Sequence, residues 1–126
     1  MKLNLETRLI DEVLVLYCGG RFTYRDEATA FSETVAGFLP LTRQVVVEFS
    51  GLETIDSAGL GELVVVHMWA KACGCSMKLA GANARILRMF ELTNLVSVFD
   101  VYPTLDNALL SFQQQAAKTK SAAQAA

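Results

Sequence analysis

The sequence predicts an α/β fold, in which a mixed, largely parallel β-sheet begins with an N-terminal hairpin and about four helices pack against it. The main observation is that short β-branched segments alternate with longer amphipathic ones after the first hairpin. Strand–helix–strand crossovers of this kind place successive strands parallel in one sheet. The length of 126 residues suits one domain, and a hydrophobic content of 52% supplies a core and excludes a disordered chain.

A hairpin is predicted at the N-terminus. Residues 5–10 and 13–18 form its two strands, and Asp11-Glu12 forms the turn between them. The second strand is nearly all apolar, which is typical of a strand that is buried on both faces of a sheet. Gly19-Gly20 interrupts this pattern and is predicted to end the strand.

One helix and one strand follow the hairpin. Residues 23–39 are predicted to be helical, with Pro40 ending the helix, because apolar residues recur three and four positions apart, at Ala28, Phe31, Val35 and Phe38. The short run 44–49 is rich in β-branched residues and is the clearest strand of the chain. Residues 50–56 are predicted to be a loop.

The C-terminal half continues the alternation of helices and strands. One predicted helix is 57–73, which Gly74 ends, and another is 82–92, which Asn94 ends in a left-handed cap. The predicted strands are 76–79 and 96–101.

The last helix is predicted to begin after Pro103, with Thr104 as its N-cap, and to run to about Gln115. Residues 113–126 lack apolar periodicity and are predicted to be a low-complexity tail of frayed helix or disorder. The predicted domain therefore covers residues 1–112.

Composition and charge exclude several classes of function. Eleven Lys and Arg against thirteen Asp and Glu give a net charge of −2, which is too near neutral for docking to nucleic acid or anionic lipid. The longest apolar run, 63–72, is interrupted by His67 and is far shorter than the roughly 20 residues of a membrane-spanning helix. The N-terminus has no apolar export signal. We therefore expect a cytoplasmic protein with no direct nucleic-acid partner and no membrane insertion.

The sequence lacks the residues that metal sites and enzymes need. Cys73-Gly74-Cys75 is neither a C-x-x-C motif nor half of a plausible zinc site, and His67 is the one histidine of the sequence, so no metal and no cofactor are expected. Ten helical residues, about 15 Å along the axis, separate His67 from Ser57 and exclude a catalytic dyad. Neither a P-loop nor a nucleophile-elbow motif is present. No catalytic residue is predicted, and the chain is not expected to be an enzyme.

Residues 54–61 carry the candidate functional site. They lie between the clearest strand and the most apolar helix, and in α/β sheets ligands collect where a strand ends and a helix begins. Asp56 or Ser57 would cap this helix, which places the Ser57 hydroxyl at an exposed corner near the positive end of the helix dipole. A phosphoryl group there would add a charge of about −1.5 to −2 and would penalise a docked partner. The alternative is a plain Asp-Ser helix cap, with glycines that allow close packing.

These residues resemble the signature of the STAS domain family, specifically of the bacterial anti-sigma factor antagonists. The family motif D-S-x-G-L-G stands here as residues 56–61, after the expected strand 45–49. Three further segments resemble the family in register, at 18–22, 83–95 and 98–105. The likeness spans about residues 3–112.

The resemblance implies a phosphorylation-switched binding protein. In the family, an anti-sigma factor of the serine-kinase type phosphorylates the serine that matches Ser57, and the two proteins part. A serine phosphatase reverses this, and the unphosphorylated form again sequesters the anti-sigma factor and frees a sigma factor. Asp56 carries over as the acidic neighbour that shapes the site. The expected partner-binding residues are Asp56, Thr54, Ala58, Gly59, Gly61, Thr23 and Trp69, of which Gly59 and Gly61 would allow close approach of a partner backbone.

Two features favour another role within the same family. Thr23 stands where family members often carry an acid in a G-x-L-D pattern. The helix after Ser57 has no stripe that is polar throughout, so apolar side chains such as Trp69 are expected to form an outward-facing interface, unless neighbouring elements cover both sides. The alternative is therefore a constitutive scaffold or interaction subunit of a signalling assembly or lipid transporter, without phosphorylation. The sequence also allows a weak homodimer.

Overall fold

The computed structural model describes residues 3–125, except for the side chains of residues 25, 26 and 117–125. Its five strands are β1 (Leu3–Ile10), β2 (Val13–Phe22), β3 (Gln44–Ile55), β4 (Ser76–Ala80) and β5 (Asp100–Tyr102). They form one sheet in chain order. β1 pairs antiparallel with β2, and each later strand pairs parallel with the one before it. The predicted mixed, largely parallel sheet with an N-terminal hairpin is confirmed.

Helices cover both faces of the sheet. They are α1 (Arg25–Phe38), α2 (Ser57–Ala72), α3 (Ala84–Leu92) and α4 (Leu105–Ala125), and a short 3₁₀ turn, Leu39–Leu41, follows α1. α1, α2 and α3 pack on one face around a large core that includes Phe31 and Phe90. α4 packs on the other face, over a smaller cluster that includes Val46 and Phe112. Within residues 3–125, no helix combines the length and the hydropathy that crossing a membrane requires.

β3 is the central strand, and both of its faces are buried. Val45, Val47 and Phe49 belong to the large core, whereas Val46 belongs to the smaller cluster under α4. A strand that is covered on both sides has a continuous apolar sequence instead of an alternating one. This double burial is the reason that the run 44–49 is so rich in β-branched residues.

Backbone conformations at the predicted turns agree with the sequence. Asp11 and Glu12 have φ angles of 50° and 68°, and positive values at both central residues are what a type I′ hairpin turn requires. Gly74, after α2, has a φ of 73°, and Asn94, after α3, has a φ of 60°. Both conformations are left-handed helix ends. The predicted hairpin turn and the predicted ends of these two helices are confirmed.

The second and third strands are longer than predicted. Gly19-Gly20 does not end β2, which continues to Phe22 through two irregularities in its register with β3. Gly20 pairs with Leu52 and Phe22 with Ile55, so the predicted loop 50–56 is wrong and β3 runs on to Ile55. Glycine inside a strand often marks a bulge, which the sequence pattern alone does not distinguish from a strand end.

The last strand is shorter than predicted. In place of a strand over 96–101, the N–H groups of Val98 and Phe99 donate to the Leu95 carbonyl at 3.0 and 3.1 Å, which closes a turn. Only Asp100–Tyr102 pairs with β4. The turn brings Phe99 into the large core, and this burial outweighs the strand propensity of the valines around it.

α4 begins where the sequence predicts it. The N–H of Asn107 donates to Thr104 Oγ1 at 3.1 Å, so Thr104 is the N-cap. The helix continues to Ala125, past the predicted end near Gln115, and Ala126 lies outside the described residues. The frayed or disordered character of residues 113–126 and the domain limits of 1–112 stay predictions.

A buried lysine joins α4 to the sheet. Lys78 on β4 is fully buried, and its ammonium group contacts the Ser111 hydroxyl and lies 4.1 Å from the centre of the Phe112 ring. The half-exposed carboxylate of Asp100 is 3.9 Å away. A buried charge is tolerated only where such partners surround it. α4 therefore closes over an ammonium group that depends on contacts from the helix itself.

Phe112→Ala is expected to lower the free energy of unfolding by about 3 kcal/mol, because it empties the centre of the cluster under α4 and uncovers Lys78. Leu110→Ala is the matched control, since Leu110 lies in the same helix but is 50% exposed and should cost less than about 1 kcal/mol. Urea unfolding followed by circular dichroism measures both values. Equal losses for the two variants would show that α4 is not held through Phe112.

Candidate functional site

The carboxyl end of β3 leads into α2 through a single residue. Ile55 ends the strand, Asp56 is the N-cap, and Ser57 is the first residue of the helix. Ser57 is exposed. Its hydroxyl therefore lies where the central strand leaves the sheet, beside the positive end of a sixteen-residue helix.

Asp56 fastens this corner to the segment between β2 and α1. Its Oδ1 accepts a hydrogen bond from the Gly59 N–H at 2.9 Å, and its Oδ2 accepts one from the Tyr24 N–H at 3.0 Å. The N–H of Asp56 itself donates to the Phe22 carbonyl at 3.2 Å. One carboxylate thus caps α2 and orients the start of α1. The predicted helix cap is confirmed, and Asp56 provides it.

The pKa of the Asp56 carboxyl lies below its usual value. Partial desolvation would raise this pKa, but backbone N–H groups, above all those of Gly59 and Tyr24, donate to the charged form and together outweigh desolvation. Asp56 is therefore a carboxylate at neutral pH, and both of its oxygens have donors. A phosphate on Ser57 would stand next to this fixed negative charge.

Tyr24 has an unusual backbone conformation at the same corner. Its φ of 65° and ψ of 154° lie in a region that residues other than glycine rarely adopt. The hydrogen bond from its N–H to Asp56 holds this conformation, and the residue is 73% exposed. Sequence reasoning does not find Tyr24, because no local pattern marks a residue whose conformation depends on a distant carboxylate.

Thr23 lies in the link before α1, which begins at Arg25 and not at residue 23 as predicted. The Thr23 N–H and hydroxyl both donate to Glu27 Oε2, at 3.1 and 3.2 Å. A carboxylate is thus present beside Thr23, contributed by the first turn of α1. A glutamate in a first helical turn commonly reaches back to free N–H groups, and this is the signal that could have revealed Glu27.

Gly59 is buried, and its close contact comes from this chain. A Cβ atom at this position would lie 2.4 Å from the Phe22 carbonyl oxygen and 2.7 Å from the Phe22 ring. The close approach that was predicted for a partner backbone is therefore made by Phe22. Gly61 differs, because it is exposed and a Cβ atom there would meet no atom within 4 Å.

The other predicted partner-binding residues divide between two places. Thr54 and Ala58 are half-buried on either side of Asp56 and Ser57. Trp69 lies about 18 Å farther along α2 and is 42% exposed, beside Met68 at 63%. Apolar side chains of α2 do face outward, but on a surface that is separate from the Ser57 corner. The binding roles of all these residues stay predictions.

The remaining chemically interesting side chains lie apart from Ser57 or are buried. Among the described residues, no three His, Cys, Asp or Glu side chains are grouped so that they could hold a metal ion. His67 has a buried Nδ1 without a hydrogen-bond partner. The pKa of His67 is lowered, mainly by desolvation and to a smaller extent by the positive charge of Lys71. All three cysteines are free thiols, and Cys18 and Cys75 are buried.

The family model of the STAS domain matches residues 4–108 of this chain. The chain belongs to the STAS domain family. The match includes all of the sheet except Leu3, together with the first three helices and the corner formed by Asp56 and Ser57. The resemblance that the sequence motifs indicate is thereby confirmed.

Relatives of this STAS domain are described as anti-sigma factor antagonists. A curated Thermotoga neapolitana protein, "Putative anti-sigma factor antagonist TM1081 homolog", is 30% identical over 70 residues, which are 56% of this chain and 62% of the relative. The chain thus matches less than two thirds of that relative's length. The crystal structure of tm1081 from Thermotoga maritima, which carries the same description, has a TM-score of 0.78 at 25% identity and covers 85% of this chain and 92% of that chain.

A more distant solved structure has the same fold. The Bacillus cell fate determinant SpoIIAA in its phosphorylated form matches with a TM-score of 0.66 at 15% identity, over 87% of this chain and 98% of that chain. At this level of identity the likeness shows the fold alone.

Gly59→Ala and Gly61→Ala are expected to change stability in opposite directions. A methyl group at residue 59 collides with the Phe22 backbone, so the free energy of unfolding should fall by about 1–3 kcal/mol. A methyl group at residue 61 has open space inside a helix, where alanine is favoured over glycine by about 1 kcal/mol. Urea unfolding measures both changes. A gain in stability at residue 59 would contradict the packing described for Phe22.

The Asp56 cap is expected to make stability depend on pH in acid. Because the folded pKa of Asp56 lies below its unfolded value of about 3.9, the carboxylate stabilises the fold above that pH, and this contribution is lost as the pH falls through the folded pKa. In Asp56→Asn the amide oxygen can accept from only one of the two N–H groups and does not titrate. Urea unfolding should show that the free energy of unfolding of the wild type exceeds that of Asp56→Asn at about pH 7, and that this difference decreases as the pH falls to about 2.5. A difference that is constant with pH would disprove this role of the carboxylate.

Proposed function

We propose that this STAS domain is an anti-sigma factor antagonist whose binding is switched by phosphorylation of Ser57. One observation carries the proposal: Ser57 presents its hydroxyl at the first position of α2, while Asp56 performs the capping. No hydrogen bond joins the Ser57 hydroxyl to another described residue. A kinase can therefore modify this oxygen without removing a contact on which the helix depends.

In this proposal, phosphorylation changes the surface charge and leaves the fold unchanged. The N–H groups of Gly59 and Leu60 already donate to the side chain and the carbonyl of Asp56, each at 2.9 Å. A phosphoryl group on Ser57 would remain in solvent near the positive helix end and would add a charge of about −1.5 to −2. A partner that covers the corner would have to desolvate this charge beside the Asp56 carboxylate. Release of the partner follows from that penalty.

The proposed partner is an anti-sigma factor of the serine-kinase type, and a serine phosphatase restores the hydroxyl. The unphosphorylated protein would sequester the anti-sigma factor and so free a sigma factor. Relatives described as anti-sigma factor antagonists, and a protein of the same fold solved in a phosphorylated form, support this scheme. The proposed role is binding in the cytoplasm, without an enzymatic activity of its own, and a weak homodimer that leaves the corner free is compatible with it.

The proposed contact surface surrounds the corner. Thr23, Thr54 and Ala58 are half-buried around Asp56, and Gly61 lies about one turn farther along α2. The largely exposed Tyr24 belongs with them, because its backbone is bonded to the Asp56 carboxylate. Small side chains near Ser57 leave the hydroxyl accessible to the active site of a kinase.

The exposed Trp69 and Met68 favour a second candidate function. A pair of large exposed apolar side chains is typical of an interaction surface, and one about 18 Å along α2 from Ser57 would be little affected by a phosphate there. This surface would suit a constitutive scaffold or interaction subunit of a signalling assembly or lipid transporter.

Ser57→Ala and Ser57→Asp are expected to differ in partner binding. When both variants are used as baits in cytosol of the native organism, Ser57→Ala should retain a serine-kinase-type ATPase. Titration with that purified partner should then show that Ser57→Asp binds at least about tenfold more weakly, because the added carboxylate is desolvated beside Asp56. Mass spectrometry of the wild type, after incubation with the partner and ATP, should place the phosphate on Ser57.

Ser97→Asp is the matched control. Ser97 is also exposed, and the substitution adds the same charge in the turn before β5, so partner affinity should not change. Equal affinities for Ser57→Ala and Ser57→Asp would refute the switch. Identical sets of transporter or scaffold partners, lost on Trp69→Ala, would support the constitutive role instead.

A further inference from the structure

β1 is an edge strand with one unpaired side. It is first in the order of the sheet, its eight residues pair with β2, and no other described element makes extensive contact with it. A free edge presents N–H and C=O groups with which another strand can pair. β1 contains neither proline nor glycine, and its register with β2 has no bulge. Apart from charged side chains, β1 therefore lacks the features that usually prevent edge pairing.

The hairpin turn determines which backbone groups of β1 face outward. In a two-residue hairpin the residues that flank the turn exchange hydrogen bonds, and these are Ile10 and Val13. Hydrogen-bonded pairs alternate along the strand, so Glu6 and Arg8 also bond to β2. The outward N–H and C=O groups then belong to Leu5, Thr7 and Leu9.

The side chains of this edge are complementary to a reversed copy of themselves. When two β1 strands pair antiparallel with Thr7 opposite Thr7, Glu6 of each copy lies opposite Arg8 of the other. A register shifted by two residues places Glu6 opposite Glu6 or Arg8 opposite Arg8, which are repulsive pairs. Glu6 and Arg8 of one chain already form an ion pair at 3.2 Å, and the register centred on Thr7 places this pair beside the reversed pair of the second copy, whereas the neighbouring registers bring like charges together.

Apolar side chains at the same edge are exposed to solvent in a single chain. Leu9 is 71% exposed and Leu41 is 84% exposed, and both line an open groove with Phe38. In the register centred on Thr7, Leu9 lies opposite Leu5 of the second copy, which covers part of this exposed surface. The occupant that matches both the charges and the apolar residues is a second copy of this chain.

We propose that two copies of this chain form a homodimer by antiparallel pairing of their β1 strands about a two-fold axis at Thr7. The interface is isologous and joins the two sheets into one. β1 begins on the side of the sheet that carries Ser57, because Leu3 pairs with Gly20 and Gly20 with Leu52 near the end of β3. The antiparallel arrangement therefore places the two Ser57 corners at opposite ends of the joined sheet, and both are free. The dimer does not depend on phosphorylation.

Charge variants test the dimer by sedimentation velocity over a range of concentrations. Glu6→Arg makes all charges at positions 6 and 8 positive, and Arg8→Glu makes them all negative. Each variant alone should self-associate at least about tenfold more weakly than the wild type, because every cross-strand charge pair becomes repulsive. An equimolar mixture should restore the dimer as a heterodimer, since the two variants carry opposite charges at facing positions. Restoration by mixing also shows that both variants are folded.

Thr7→Pro and Thr7→Ala provide a second, matched comparison. The Thr7 N–H faces outward, so proline leaves the pairing with β2 intact but removes both hydrogen bonds that the two Thr7 residues exchange at the axis, whereas alanine keeps them. Thr7→Pro should therefore be monomeric and Thr7→Ala dimeric, with similar circular dichroism spectra. A wild type that stays monomeric up to about 1 mM overturns the proposal. Charge variants that dimerise as tightly as the wild type also overturn it and assign self-association to another surface.

Discussion

The carboxylate of Asp56 is the interaction on which the functional corner depends. It accepts N–H groups from Gly59 and Tyr24, which lie on different elements, and the Asp56 N–H donates to Phe22. The end of β2, the start of α1 and the start of α2 therefore form one unit. Gly59 permits this junction, because a larger residue would displace the Phe22 backbone. Within the Asp-Ser-x-Gly motif, the aspartate and the glycine are structural, and the serine hydroxyl remains available for chemistry.

This separation of roles explains how the corner can be both rigid and open to modification. The bond that caps α2 belongs to Asp56, so a modification of the Ser57 hydroxyl does not involve it. The lowered pKa keeps Asp56 charged at neutral pH, so the environment of Ser57 is already negative before any phosphate is added. Under the proposed function, the STAS domain needs no conformational change, because the partner alone meets the added charge.

Sequence reasoning succeeded where local chemistry decides the structure. The run 44–49, the caps at Asp56 and Thr104, and the left-handed Asn94 each follow from the residues themselves and their immediate neighbours. It failed where distant segments decide, since the extension of β3 depends on bulged pairing with β2, and the turn that replaces most of 96–101 depends on the burial of Phe99. The conformation of Tyr24 and the packing of Gly59 likewise arise from contacts between separate elements, which periodicity does not encode.

The order of the strands separates the two proposed interaction surfaces. The Ser57 corner lies at the end of the central strand β3, whereas the dimer would use the outward side of the edge strand β1. The two surfaces therefore lie on different borders of the sheet. A partner at one corner would therefore not compete with the second copy of the chain. Because antiparallel pairing directs the two corners to opposite ends of the joined sheet, a compact partner could not reach both, and avidity would not strengthen its binding. Each corner must then hold its partner through its own contacts, which makes the charge on a single Ser57 sufficient to release it.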